Sequence, residues 1–170
     1  MSRIAIIRHG LLEKDGRTLA KRGKIATRLL AWKLQRLGIR DPQFLVSTDP
    51  LASATMHELM QAYKASDDML RVERLLDCPT QETEVPFMSI RDLLISEQKA
   101  SDIVVVLGDC LVLHQLVECF CMHMLFSSPK SEVLCGCALV IDYDMQSCVM
   151  VGSPTHSRKK VIRKGESPHV

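Results

Sequence analysis

The 170-residue sequence is poor in aromatic side chains and carries almost no excess charge of either sign. Phe, Trp and Tyr make up only 4% of it, so its core must be built from aliphatic residues, Met and Cys. A net charge of +2 is too small to indicate a nucleic-acid partner. No stretch is both long enough and uncharged enough to span a bilayer. The composition therefore predicts an ordinary globular protein with no membrane and no nucleic-acid partner.

The cysteines also argue against a secreted, disulfide-bonded protein. There are seven, an odd number, and they are scattered through apolar segments, which favours reduced core thiols and a cytoplasmic location. The short N-terminal apolar run is followed directly by Arg8 and His9, unlike a signal peptide. We expect one domain over residues 1–155 and a basic tail over 156–170.

Apolar periodicity predicts helices and strands that alternate along the chain. The predicted strands are Arg3–Ile7, Phe44–Val46, Leu70–Leu76, Ile103–Leu107, Cys135–Tyr143 and Cys148–Val151. The predicted helices are Lys21–Leu37, Pro50–Tyr63, Phe87–Gln98 and Leu111–Met124. The last two strands are expected to form a hairpin near the sheet edge. The order predicts an α/β three-layer sandwich, with a mostly parallel central sheet and helices on both faces.

The first strand ends abruptly at Arg8-His9-Gly10. Arg and His are seldom fully buried without a partner, and Gly permits backbone angles that other residues avoid. Ligands of open α/β sheets bind at the carboxyl ends of the strands. These three residues therefore mark either a ligand site or a solvated turn, and alone they do not decide between the two.

Four short segments, taken in order, resemble the histidine phosphatase superfamily, whose fold is phosphoglycerate-mutase-like, and within it the small SixA-type phosphohistidine phosphatases. They are Arg8-His9-Gly10, Arg17-Thr18-Leu19 with Gly23, Val46-Ser47 with Ala52 and Thr55, and Val106-Leu107-Gly108. The resemblance covers about residues 3 to 153. It implies the superfamily's fold and the hydrolysis of a phosphohistidine or a small phosphoester, with no cofactor and no metal.

In that family a His attacks phosphorus and becomes a phosphohistidine, while two Arg and a second His surround the phosphate oxygens. Carried over by position, His9 matches the nucleophile and Arg8 matches the first phosphate-binding Arg. Leu51 stands where the second Arg is expected, and Asp109 where the second His is expected. Two of the four central groups are therefore replaced.

Both replacements weaken phosphate binding. Removal of one preorganised donor costs roughly 10²–10³-fold in rate. An anion such as Asp109 would repel phosphate by roughly 4 kcal/mol at about 4 Å and an effective dielectric of about 20. Two hypotheses follow: a weakened phosphatase that uses His9 and Arg8 on a phosphorylated protein or small molecule, or an inactive pseudophosphatase that serves as a binding or regulatory module.

Other readings of the pocket stay open. Asp109 could be protonated, could pair with Arg8, or could favour a metal or a cationic ligand. Arg17, which follows the motif loop, is the best candidate for a replacement phosphate-binding cation. His114 is a poor substitute for the missing His, because it lies five residues beyond Asp109 and is expected to face elsewhere.

Four further features have a structural explanation that we favour. Cys119, Cys121 and His123 have possible metal spacing but fit a Cys- and Met-rich core helix better. Glu13 or Asp15 could supply a proton, although a solvated loop is the simpler interpretation. Ser47 is expected to cap a helix rather than act as a nucleophile. The basic tail could touch nucleic acid or acidic lipid, but a solvated tail is the simpler expectation.

Overall fold

The computed structural model describes residues 2–77, 87–108, 116, 120, 135–142 and 147–152. Within these ranges the chain alternates strands and helices. The strands are β1 (Arg3–Arg8), β2 (Gln43–Val46), β3 (Leu70–Val72), β4 (Ile103–Leu107), β5 (Ala138–Asp142) and β6 (Ser147–Val151). The helices are α1 (Lys21–Arg36), α2 (Pro50–Tyr63) and α3 (Phe87–Gln98).

The six strands form one sheet in the order β3-β2-β4-β1-β5-β6. The pairings of β3 with β2, β2 with β4 and β4 with β1 are parallel. Those of β1 with β5 and β5 with β6 are antiparallel, and β6 lies at one edge. This confirms the predicted α/β fold, its mostly parallel sheet and its terminal hairpin.

Apolar side chains cover both faces of the sheet because successive strand residues point to opposite sides. Ala5 and Ile7 of β1 belong to the core shared with α1 and α2. Ile4 and Ile6 belong to the core on the other face, which includes residues of α3 together with Leu116 and Phe120. The sheet, with helices packed on each of its two faces, gives the predicted three layers. The rest of the predicted helix Leu111–Met124, and the tail 156–170, lie outside the described residues.

Two predicted strands are shorter than expected. The segment Leu70–Leu76 is a strand only as far as Val72, because Glu73 accepts a hydrogen bond from the Leu75 N–H (3.2 Å) and a 3₁₀ turn follows. The strand predicted from Cys135 begins at Ala138. Gly136, whose φ of +74° suits glycine, forms a turn just before it.

Each helix of the described chain matches its prediction to within a residue. The α1 helix ends where Gly38 takes a φ of +96°, as predicted. None of these helices has the length and apolarity needed to cross a membrane.

Tyr63, at the end of α2, gives the fold a pH dependence. Its hydroxyl donates to the Ile39 carbonyl (3.2 Å), and burial, with a smaller contribution from the Asp102 charge, raises the pKa of Tyr63 above its ordinary value of 10.0. A phenol whose pKa is raised by folding stabilises the native state below the unfolded pKa, and this stability is lost as the pH rises.

We therefore expect the free energy of unfolding to fall above about pH 10, and to fall less steeply in Tyr63→Phe. Guanidinium unfolding of both proteins at about pH 9 and about pH 11 measures this difference. An equal decline in wild type and Tyr63→Phe would contradict the assignment.

Candidate active site

The parallel strands β1, β2 and β4 bring their carboxyl ends to one edge of the sheet. At that edge Arg8 is paired with Leu107, and the His9 N–H donates to the Leu107 carbonyl (3.1 Å). Arg8-His9-Gly10 therefore lies directly beside the end of β4, where Gly108 follows. The two motifs that the sequence separates by about a hundred residues meet in the fold.

His9 is held in one orientation. It is only 8% exposed, and its Nδ1 lies 2.9 Å from the Gly10 carbonyl oxygen. A carbonyl oxygen only accepts, so Nδ1 is the nitrogen that donates here, and Nε2 is the nitrogen left for other contacts. The His9 carbonyl in turn accepts the Gly136 N–H (3.1 Å). These contacts fix the orientation of the His9 ring, and its role as a nucleophile stays a prediction.

Thr55 joins the motif to α2. Its hydroxyl oxygen accepts the Gly10 N–H (3.0 Å) and donates to the Leu51 carbonyl (2.8 Å). One buried hydroxyl therefore connects Gly10 to the first turn of α2, where Leu51 lies. An apolar side chain stands there, so this turn supplies no guanidinium.

Close packing also fixes the loop that follows the motif. A Cβ on Gly23 of α1 would lie 2.3 Å from the Leu11 carbonyl oxygen, so only glycine lets α1 approach this closely. A Cβ on Gly10 would lie 3.1 Å from side-chain atoms of Leu19 and Thr27. These contacts explain two glycines of the resemblance by sterics alone.

The N-terminus of α2 already holds an anion. The Oδ1 of Asp49 accepts the N–H groups of Leu51 (2.7 Å) and Ala52 (3.3 Å). The same carboxylate packs on Gly108, where a Cβ would lie 2.3 Å from Asp49 Cγ. Helix N-termini attract anions, and here the chain's own carboxylate occupies that position.

Ser47 was predicted to be the helix cap, and this is wrong. Asp49 is the cap, because its carboxylate is two residues nearer to the N–H groups of the first turn. The Ser47 hydroxyl is buried and has no hydrogen-bond partner within the described part of the chain.

The loop after the motif is a tight turn fixed by Asp15. Its carboxylate accepts the N–H groups of Arg17 (2.9 Å) and Thr18 (3.3 Å), and these hydrogen bonds, that of Arg17 foremost, lower the pKa of Asp15. An exposed, readily ionised carboxylate is a poor general acid, which favours the solvated-loop interpretation. Arg17 itself is exposed, and its role in phosphate binding stays a prediction.

Several predicted residues lie outside the described ranges. They are Asp109, His114, Cys119, Cys121 and His123. Where side chains are described, no three His, Cys, Asp or Glu residues come together as metal ligands. Sequence reasoning missed the turn at Cys135–Cys137, where the Cys137 carbonyl accepts the Arg8 N–H (3.3 Å). The only sequence signal was Gly136 just before an apolar run.

No protein-family model and no curated protein matches the sequence. Solved structures do match. A protein described as the phosphohistidine phosphatase SixA of Agrobacterium tumefaciens has a TM-score of 0.62 at 17% identity, over 88% of this chain and 95% of that one. A protein histidine phosphatase SixA complexed with tungstate has a TM-score of 0.62 at 18% identity, over 88% and 94%.

A phosphoglycerate mutase from Plasmodium falciparum also matches, with a TM-score of 0.54 at 14% identity, over 99% of this chain and 98% of that one. At such identities the likeness establishes the fold. The chain has the phosphoglycerate-mutase-like fold of the histidine phosphatases, as the resemblance predicted, and SixA-type proteins are among the structures that share it.

Proposed function

We propose that this chain is a SixA-type histidine phosphatase with a weakened phosphate pocket, which hydrolyses a phosphohistidine or a small phosphoester through a phosphohistidine on His9. The observation that carries the proposal is the orientation of His9. The Gly10 carbonyl fixes the proton on Nδ1, so Nε2 carries the lone pair that attack on phosphorus requires.

The chemistry needs few groups. Nε2 of His9 attacks phosphorus, the new P–N bond forms as the bond to the leaving group breaks, and the leaving group takes a proton from solvent. Water then attacks the phosphohistidine, releases inorganic phosphate and returns the electron pair to Nε2. A phosphohistidine substrate suits this pocket because its P–N bond is already labile and needs less help from a general acid.

The chain offers only some of the donors that would stabilise the negative charge on the phosphate oxygens. Arg8 can donate to the phosphate oxygens as a planar fork. The first turn of α2 offers Leu51 instead of a guanidinium, and the Asp49 carboxylate already holds two of its N–H groups. We therefore expect turnover several orders of magnitude below that of a complete pocket.

The same two features favour a second candidate function, a binding or regulatory module without catalysis. A capped helix N-terminus and an apolar residue in place of an arginine both reduce affinity for phosphate. The two candidates differ in one respect, because only the first requires His9 to exchange phosphoryl groups. As compartment we propose the cytoplasm, which the odd number of cysteines, seven, supports.

Hydrolysis of phosphoramidate and of a phosphohistidine peptide by the purified chain tests the proposal. We expect slow release of phosphate that is lost in His9→Ala. His57→Ala is the matched control, because His57 is exposed on α2 and its ring hydrogen-bonds to the nearby Gln61 side chain (2.9 Å). Equal activity in His9→Ala and wild type would contradict the proposal, and no activity in any of them would favour the binding module.

A further inference from the structure

The outer face of α1 exposes a line of large apolar side chains. Ile25, Leu29 and Trp32 are 51%, 45% and 52% exposed and have the i, i+4, i+7 spacing of one helix face. They lie opposite the face that packs on the sheet, which includes Ala26, Leu30 and Leu34 and is buried. We call Ile25, Leu29 and Trp32 the α1 ridge.

Cations flank the α1 ridge on both sides. The helix contains six Lys or Arg residues and no Asp or Glu; they are Lys21, Arg22, Lys24, Arg28, Lys33 and Arg36. Lys24 and Arg28 share one anion, Glu58 of α2. Lys21, Arg22 and Arg36 form no ion pair with a described residue, and the Arg36 guanidinium lies 4.8 Å from the Trp32 ring centroid. The surface around the ridge is therefore strongly positive.

The sequence beyond the described residues adds more positive charge. Lys33 donates to the carbonyl of Gly152, where the chain passes into residues 153–170. That sequence contains five Lys or Arg residues and a single Glu. Clusters of Lys and Arg attract anionic lipid surfaces.

We infer that α1 is an interfacial helix, which docks the protein on a bilayer rich in anionic phospholipid. The α1 ridge would enter the headgroup boundary, where Trp is favoured, while Lys21, Arg22 and Arg36 meet lipid phosphates. This departs from the expectation that the chain has no membrane contact. That expectation rested on the lack of a spanning segment, and an interfacial helix needs none.

The arrangement fits a membrane better than two other polyanions. A nucleic-acid backbone would use the cations but would leave Ile25 and Leu29 without a role. An acidic protein would need a groove shaped to a convex ridge, whereas a lipid surface adapts to it. Charge on both sides of a convex apolar line is the geometry of a helix that lies in an interface.

The single Trp of the chain makes the inference measurable without any phosphatase activity. We expect the full chain to co-sediment with vesicles of phosphatidylcholine with about 30% phosphatidylserine, and only weakly with phosphatidylcholine alone. Trp32 emission should shift to the blue and be quenched by brominated lipid. Because exposed charges are screened, binding should weaken at high salt.

Two variants test the apolar α1 ridge and the cations beside it separately. Ile25→Ser/Leu29→Ser, which keeps the fluorophore, should weaken vesicle binding by about 10-fold. Its control is Val72→Ser/Leu75→Ser, which removes exposed apolar groups in and just after β3, an edge strand of the sheet. Arg22→Glu should also weaken binding, whereas Lys99→Glu, the same charge change beyond α3, should not. Circular dichroism confirms that each variant folds.

Three outcomes would overturn the inference. The first is no co-sedimentation with anionic vesicles in low salt. The second is binding that leaves Trp32 emission unchanged and is insensitive to Ile25→Ser/Leu29→Ser, which would mean that charge alone holds the protein there. The third is binding of duplex DNA or an acidic protein without vesicle binding. Since His9 plays no part, failure here leaves the proposed phosphatase untouched.

Discussion

Leu51→Arg together with Asp109→His is expected to raise the rate of phosphoryl transfer by at least about 100-fold, the usual effect of one preorganised donor. Leu51 lies at the first turn of α2, and Thr55 ties its carbonyl to Gly10, so a guanidinium there starts close to the motif. The Asp109→His change removes an anion from the position where the family has an imidazole. Steady-state hydrolysis of phosphoramidate measures the gain.

Two controls test whether the rate increase arises at the phosphate pocket beside His9. Ala54→Arg adds the same residue at an exposed position of α2 and should change the rate little. His9→Ala in the double-variant background should remove the gain, because the added groups act only on a phosphoryl group bound at His9. If the double variant is no faster than wild type, the pocket has diverged beyond these two positions.

Gly23→Ala is expected to destabilise the protein by about 2 kcal/mol or more, although Gly to Ala inside a helix ordinarily stabilises by about 0.5–1 kcal/mol. Here the change in the free energy of unfolding has the opposite sign, because the new Cβ would lie 2.3 Å from the Leu11 carbonyl oxygen. That oxygen belongs to the backbone and cannot rotate away. Either α1 or the loop after the motif must shift. Urea unfolding measures the loss, and activity should fall with it.

Ser53→Ala is the control for this change. It also introduces alanine into a helix, but at an exposed position of α2, and should alter stability by less than about 0.5 kcal/mol. A Gly23→Ala protein as stable as wild type would show that α1 does not pack this closely on Leu11.

The sequence predicted the layers well because the core is made of uninterrupted apolar runs. Ile103–Leu107 is apolar throughout and lies at the centre of the sheet with every residue buried. Pro50 and Gly38 marked a helix start and a helix end by well-understood backbone preferences. Where the pattern was weak, as in Leu70–Leu76, the Glu73 carboxylate accepts the Leu75 N–H and a 3₁₀ turn forms instead of a longer strand.

Only part of the candidate site could be predicted in the same way. Arg8, His9 and Leu51 followed from the order of short motifs. The Asp49 carboxylate on Gly108, and the Gly136 N–H on the His9 carbonyl, join residues far apart in sequence. Such contacts depend on how strand ends meet, which local periodicity does not encode. The α1 ridge could not be predicted for another reason, since Ile25 and Leu29 directly precede the buried Ala26 and Leu30 and are themselves exposed.

The most direct test of the central claim is a rapid-quench labelling of the wild-type chain with ³²P-phosphoramidate, followed by mapping of the labelled residue. We predict an acid-labile, base-stable phosphate on His9, formed in a burst and absent from His9→Ala, with His57→Ala labelled as wild type. No label, or a label on another residue, would contradict phosphoryl transfer through His9.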